Sequence, residues 1–140
     1  MNNIKNINKL FLELRPSNIA GVGIFAIRTI PKDTVIFHYD NEDIISYKFT
    51  NLRDKGVPLS VINTLKKYCA HNKSIIQIPK NYNHEKLTYV HYLNHSDNSN
   101  IYYDFDKNIY ITKRKIRPNE EILLDYAENN YCKSCMDFYK

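Results

Sequence analysis

The apolar residues of this chain fall in short runs rich in β-branched and aromatic side chains, and one run recurs at helical spacing. Leu10-Phe11-Leu12-Glu13-Leu14 reads as a strand, and Arg15-Pro16-Ser17-Asn18 as the turn after it. A second turn follows at Pro31-Lys32-Asp33. Residues 34–39, Thr-Val-Ile-Phe-His-Tyr, form a further strand, because branched and aromatic side chains fill a pleated surface well. Residues 44–49 fit either a strand or a helix, and the polar residues 51–56 read as a loop. Pro58 opens a short helix to about Tyr68, with Leu59, Ile62, Leu65 and Cys69 on one face. Residues 74–79 are a short strand stopped by Pro79. Residues 101–105 and 109–112 are two strands joined by a turn at Asp106-Lys107-Asn108. After the turn at Arg117-Pro118-Asn119, residues 121–126 make a last strand. The expected fold is mainly β with short helices and has no internal repeat.

Composition narrows the class. At 140 residues, with 43% hydrophobic and 25% charged side chains, the chain fits one globular domain with a core. No apolar run approaches the length of a membrane helix and the start has no signal-peptide pattern, so no membrane partner is expected. Three cysteines do not build a disulfide framework, which favours a reducing, intracellular compartment without distinguishing cytoplasm from nucleus. The net charge of +5 is too mild to argue for direct nucleic-acid binding, although Lys113, Arg114, Lys115 and Arg117 cluster. Each of the three glycines should have a local backbone reason.

Three polar pieces interrupt the strand pattern. The first, Gly21-x-Gly23-x-x-Ala26, matches the dinucleotide fingerprint, with Asp40 and Glu42 roughly where a ribose-binding acid belongs. Its context fails, because that motif needs a long helix at once, and here Pro31 and a strand-like run follow. Two readings remain: a bend between strands, or a loop whose missing side chains let a ligand touch backbone. The second piece, Asn94-His95-Ser96-Asp97-Asn98-Ser99-Asn100, is either an exposed turn or a site whose groups must bind something specific. The third is Asn119-Glu120-Glu121-Ile122-Leu123-Leu124-Asp125-Tyr126.

In that order and spacing, Ser17-x-x-x-Gly21-x-Gly23-Ile24-Phe25-Ala26, Leu93-Asn94-His95-Ser96-x-x-x-Asn100 and Asn119-Glu120-Glu121-Ile122-x-x-Asp125-Tyr126 resemble the SET-domain protein lysine methyltransferases, in their compact viral and bacterial form. The resemblance covers residues 12–126. It implies several small β-sheets with a C-terminal pseudoknot, a catalytic domain at 10–127 and a reduced tail at 128–140; the Asn- and Lys-rich residues 1–9 before it read as a flexible arm. It implies S-adenosyl-L-methionine held by Gly21, Val22, Gly23, Asn94 and His95, with Tyr68 matching an aromatic near the cofactor. His95 is thereby a cofactor contact, not a general base. The substrate, a protein with an exposed lysine and in this family often a histone tail, would enter a channel from the opposite face. Tyr126 would close it as the catalytic tyrosine, with Tyr39 and Leu124 lining it and Tyr92 either lining it or packed in the core.

The chain departs from the family pattern at three places. Asn119 stands where the family has Gly, and Asn tolerates a positive φ better than most residues. Asp97 and Ser99 replace a Cys and a Pro, and in many nuclear members that Cys joins a C-terminal cysteine cluster to bind zinc. Cys132 and Cys135 alone fall short of four zinc ligands, so no metal is expected. Aliphatic Leu124 replaces an aromatic, which leans toward more than one methyl added. Asp40, Glu42, Asp43, Asp104 and Asp106 are candidates to attract a basic substrate. The departures keep a second class open, a catalytically silent module that binds a basic protein tail. The sequence does not give the substrate or the oligomeric state.

Overall fold

In the computed structural model, which describes residues 2–38 and 44–127, the short branched runs become short strands in three small sheets. The strands are β1 (Leu12–Pro16), β2 (Val22–Ala26), β3 (Val35–His38), β4 (Ile44–Lys48), β5 (Ile75–Pro79), β6 (Asn94–His95), β7 (Ile101–Asp104), β8 (Ile109–Thr112) and β9 (Leu123–Leu124). The helices are α1 (Asn2–Ile7), α2 (Phe49–Asp54) and α3 (Leu59–Tyr68). The chain divides into two compact units, residues 1–39 with 92–125 and residues 40–91 with 126–140.

In the first unit β1 and β2 form an antiparallel hairpin, in register from Leu12 opposite Ala26 to Pro16 opposite Val22. The second sheet has the order β3-β8-β7-β9-β6. β9 runs parallel to both of its neighbours, with Asn94 opposite Leu123, His95 opposite Leu124 on one side, and Ile101 opposite Leu124 on the other. β6 and β7 are therefore parallel, yet only residues 96–100 join them. Parallel strands in one sheet ordinarily need a crossover of a dozen or more residues. Here the short loop bridges the closing strand itself, through Ser96 N–H to Leu124 O at 3.1 Å and Asn100 N–H to Leu123 O at 3.1 Å. This is the order expected of the C-terminal pseudoknot, and an exception to the rule that chains avoid threading.

The closing segment also reaches the hairpin. Ala26 N–H donates to Glu120 O at 2.9 Å and Ile122 N–H to Ile24 O at 2.7 Å, around a bridge between Phe25 and Glu121. The expected strand at 121–126 thus narrows to Leu123–Leu124, because residues 120–122 pair with β2 before the segment enters the larger sheet. Ile24, Ala26, Ile30, Ile101, Tyr110, Ile116 and Ile122 are fully buried in this unit. Removing each such isoleucine from water contributes roughly 1.5–3 kcal/mol. Tyr110 stands edge-on to Phe37 at 5.9 Å, and its ring lies 4.8 Å from that of Tyr103. The buried Thr112 hydroxyl is satisfied twice, donating to Pro31 O at 2.8 Å and accepting from Thr34 N–H at 2.9 Å.

In the second unit β4 and β5 pair antiparallel from Ile44 opposite Pro79 to Lys48 opposite Ile75. The open choice at 44–49 resolves as a strand that runs directly into a helix. Leu52, Ile62, Cys69 and Ile76 are buried together, with Tyr47, Phe49, Val57, Leu65, Ile78 and Tyr82 packed against them. Two expectations change here. The predicted loop at 51–56 is mostly α2, because Phe49 and Leu52, three apart, give it an apolar face; the helix ends at Asp54 and the turn after it includes Gly56, whose φ is +85°. α3 matches its predicted limits, but Leu59 is 53% exposed, since at the first helical position it lies beyond the apolar cluster. At the N-terminus, Asn2–Ile7 is helical where the sequence suggests a loose arm.

Candidate active site

The turn joining β1 and β2 carries the glycine motif, and the two glycines are there for different reasons. Gly21 has φ +48°, and a Cβ at that position would meet nothing within 4 Å. Its requirement is conformational. Gly23 is buried in β2 without a positive φ, but a Cβ there would lie 2.0 Å from Glu121 Oε1, 2.8 Å from Glu121 Cδ and 3.1 Å from Asn94 Nδ2. Its requirement is space. The gap that the sequence reading offered to a ligand is filled at Gly23 by a carboxylate of the chain itself.

That carboxylate is the centre of the polar cluster. Asn94, at the start of β6, donates from Nδ2 to Glu121 Oε1 at 2.8 Å and to Ala20 O at 3.1 Å. Ser17 Oγ donates to Glu121 Oε2 at 3.0 Å and accepts from Ile19 N–H at 3.0 Å. The glycine turn, the Asn-His strand and the closing segment therefore meet at Glu121. Just behind, Asn100 is 2% exposed; its Nδ2 donates to Glu121 O at 2.7 Å and its Oδ1 accepts from Leu123 N–H at 2.8 Å. Sequence reasoning quoted Glu121, Ser17 and Asn100 as parts of motifs but gave none of them a role. The available signal was that a carboxylate and an amide placed among strand-forming apolar residues need partners.

The predicted site residues distribute as follows. Gly21, Val22, Gly23, Asn94 and His95 all lie in the first unit, Gly23 and Asn94 in direct reach of Glu121. His95 is half-buried between two carboxylates, its Nε2 3.2 Å from Asp97 Oδ1 and its Nδ1 3.9 Å from Asp125 Oδ1. These three side chains present ligand atoms within 4.8 Å of one another. Three such ligands, with the Asp97 side chain 97% exposed, fall short of the closed four-ligand set of a structural zinc site. Leu124 is buried at 2% exposure, and Tyr92 is half-buried at the end of the 3-10 turn Tyr89–Tyr92. Tyr126, half-buried, sits in a turn directly after Asp125. Tyr68 ends α3 in the second unit, where its ring stands edge-on to His84 at 6.1 Å. Tyr39, Asp40, Glu42, Asp43, Cys132 and Cys135 lie outside the described residues. Asp104 Oδ1 accepts from the N–H groups of Asp106 and Lys107, which commits it to its turn.

A sequence profile of the SET domain matches residues 21–127, which begins at the glycine turn and ends just past Tyr126. The chain belongs to the SET-domain family. No curated protein matches it. Among solved structures, a crystal structure of a Plasmodium falciparum protein provisionally named a histone methyltransferase is similar at 21% identity, over 89% of this chain and 99% of that one, with a TM-score of 0.48. SET domains are in general protein lysine methyltransferases that use S-adenosyl-L-methionine.

Within this SET domain the departure at Asn119 is accommodated. Its φ is +71°, so asparagine holds the left-handed turn in place of glycine, and its Oδ1 accepts from Arg15 Nη1 at 2.9 Å. The basic cluster is largely engaged within the fold. Lys113 Nζ donates to Ser99 Oγ at 2.7 Å, and Arg114 bonds Glu120 at 2.8 Å and Lys115 O at 2.9 Å. The Arg114 bond holds the Glu120 carboxyl below the usual range, with help from Arg117.

Proposed function

We propose that residues 10–127 form an S-adenosyl-L-methionine-dependent protein lysine methyltransferase whose cofactor pocket is built on the Gly21–Asn94 side of the first unit. The observation that carries this reading is the convergence of the glycine turn, Asn94 and the closing segment on Glu121. The residues present fit a ligand with an amino-acid moiety. Gly21 leaves open space, and Asn94 keeps Oδ1 as an acceptor because its amide bonds Ala20 and Glu121 through Nδ2.

When bound, the cofactor supplies an activated methyl group on a positively charged sulfur. The protein's task is then alignment and dryness more than acid–base work. A free lysine has pKa of about 10.4, so the attacking amine must shed its proton to solvent before transfer. Burial favours the neutral amine, since desolvation disfavours the charged form. Tyr126, two positions after β9, would orient that amine through its hydroxyl and present a ring to the cationic centre. His95, with carboxylates on both ring nitrogens, is positioned for holding the site together and not for taking the substrate proton. Leu124 offers no hydroxyl to hold a water beside the amine, which suits more than one methyl transfer.

The test is incubation with labelled S-adenosyl-L-methionine and a mixed set of basic proteins, histones included. Wild-type protein should label a protein band, and Tyr126→Phe should lower that labelling by at least about tenfold while leaving cofactor affinity unchanged within about twofold. Cofactor binding by calorimetry with no label above background in any fraction would overturn the catalytic reading.

A further inference from the structure

We infer that Glu121 is a positioning residue for the ligand site, acting through Asn94. The inference rests on the proposed reading for the identity of the ligand, but not for the contact itself. Asn94 Nδ2 faces two acceptors, Glu121 Oε1 at 2.8 Å and Ala20 O at 3.1 Å. Turning the amide over would set Oδ1 against a carboxylate and a carbonyl and lose both bonds. The amide orientation is therefore determined by its neighbours. The carboxylate is held in turn. Its second oxygen accepts from Ser17 Oγ at 3.0 Å, and its backbone is held by Asn100 Nδ2 on the carbonyl at 2.7 Å. Gly23 belongs to the same device, since any Cβ at 23 would displace the carboxylate from this position.

The consequence is chemical. Asn94 Oδ1 is left as an acceptor with no donor bonded to it among the described residues. A ligand group that docks on it must be a donor, and the Glu121 charge behind the amide favours a cationic one. The α-ammonium of an amino-acid moiety has that chemistry, whereas a carboxylate does not. Glu121 thus selects ligands bearing an ammonium without touching them.

Two measurements test this. The first needs no ligand. In nitrogen-edited NMR spectra the Asn94 side-chain NH2 pair, assigned by its loss in Asn94→Ala, should exchange slowly with solvent in the wild type and rapidly in Glu121→Ala. Glu121→Gln, which keeps the shape and an acceptor oxygen, covers the case in which Glu121→Ala does not fold and should leave the pair intermediate. The second is calorimetry with S-adenosyl-L-homocysteine and with 5′-methylthioadenosine, which lacks the amino-acid moiety. Glu121→Ala and Glu121→Gln should weaken the first by about tenfold or more, the size expected for a bond to a charged group, and the second by no more than about twofold. Asn94→Ala combined with Glu121→Ala should lose no more than Asn94→Ala alone. An unchanged Asn94 NH2 pair, or equal losses for both ligands, overturns the inference. A protected NH2 pair in a wild-type protein that binds neither ligand upholds the positioning contact and overturns the proposed function instead.

Discussion

Replacing Asn100 by alanine removes the side chain that clamps the closing segment to the loop it threads. Asn100 is 2% exposed and spends its amide on two backbone groups of that segment, Glu121 O at 2.7 Å and Leu123 N–H at 2.8 Å. Leaving one buried partner unsatisfied costs about 1–3 kcal/mol, so two partners give about 2–6 kcal/mol. That is a large share of the roughly 5–15 kcal/mol that keeps a domain folded. The chain has no tryptophan, so urea unfolding is best followed by circular dichroism or by its 12 tyrosines. With a slope of about 2 kcal/mol per molar, the midpoint should fall by roughly 1–3 M. Asn100→Asp discriminates further. It keeps an acceptor for Leu123 N–H but sets a carboxylate against Glu121 O, so it should be at least as destabilising at neutral pH and should recover part of the loss in acid, where protonation restores a donor. A midpoint for Asn100→Ala within about 0.3 M of the wild type would refute the claim that this side chain secures the threaded strand.

Three further outcomes follow from the same geometry. Gly23→Ala should destabilise the wild type by about 1–3 kcal/mol but the Glu121→Ala background by clearly less, because the atoms 2.0 and 2.8 Å from the new Cβ are then gone; additive losses in thermal unfolding would break the link between the two positions. Asn119→Gly should change stability by under about 0.5 kcal/mol, whereas Asn119→Ala should cost about 1–2 kcal/mol at φ +71°, and denaturant titration that ranks them equal would contradict a conformational requirement there. Burial pushes the Cys69 thiol up from 9.0 to about 11, so between those values the unfolded chain has released a proton that the folded chain retains. Stability should therefore fall as pH rises through that window. Comparing Cys132→Ser/Cys135→Ser with the same protein carrying Cys69→Ala, at pH values of about 8 and 10.5, isolates this effect, and parallel losses in the two would rule it out.

Most of the strand pattern was legible because branched and aromatic runs bounded by turn residues have one reading. The helix at 59–68 was legible for the same reason in the other period. α2 was missed because the polar residues 51–56 were separated from Phe49, the apolar residue that gives that helix its face. The two-residue strand β9 could not be delimited, because its length depends on which partner each residue takes, β2 before Ile122 and the larger sheet after it. Partner choice over such separations is not written in local periodicity. The three motifs of the candidate site were visible, yet the sequence could not say which group each one touches. Tyr68 illustrates the limit, since matching an aromatic to a role says nothing of the His84 ring beside it.

The two glycines carry the same letter and opposite physics, and this decides how far a motif can be trusted. At Gly21 the left-handed backbone disfavours most other residues while the surrounding space is open, so a substitution there strains the turn without a clash. At Gly23 the conformation would admit any residue and a carboxylate from nearly a hundred positions away forbids it. A change at Glu121 therefore alters what position 23 tolerates, and a change at Gly23 moves the group that orients Asn94. The glycine turn is in this sense half of a pair whose other half sits on the closing segment. Glu121 reaches Asn94 only where that segment lies beside β6, so the threading that ties the fold also sets the orientation of the Asn94 amide.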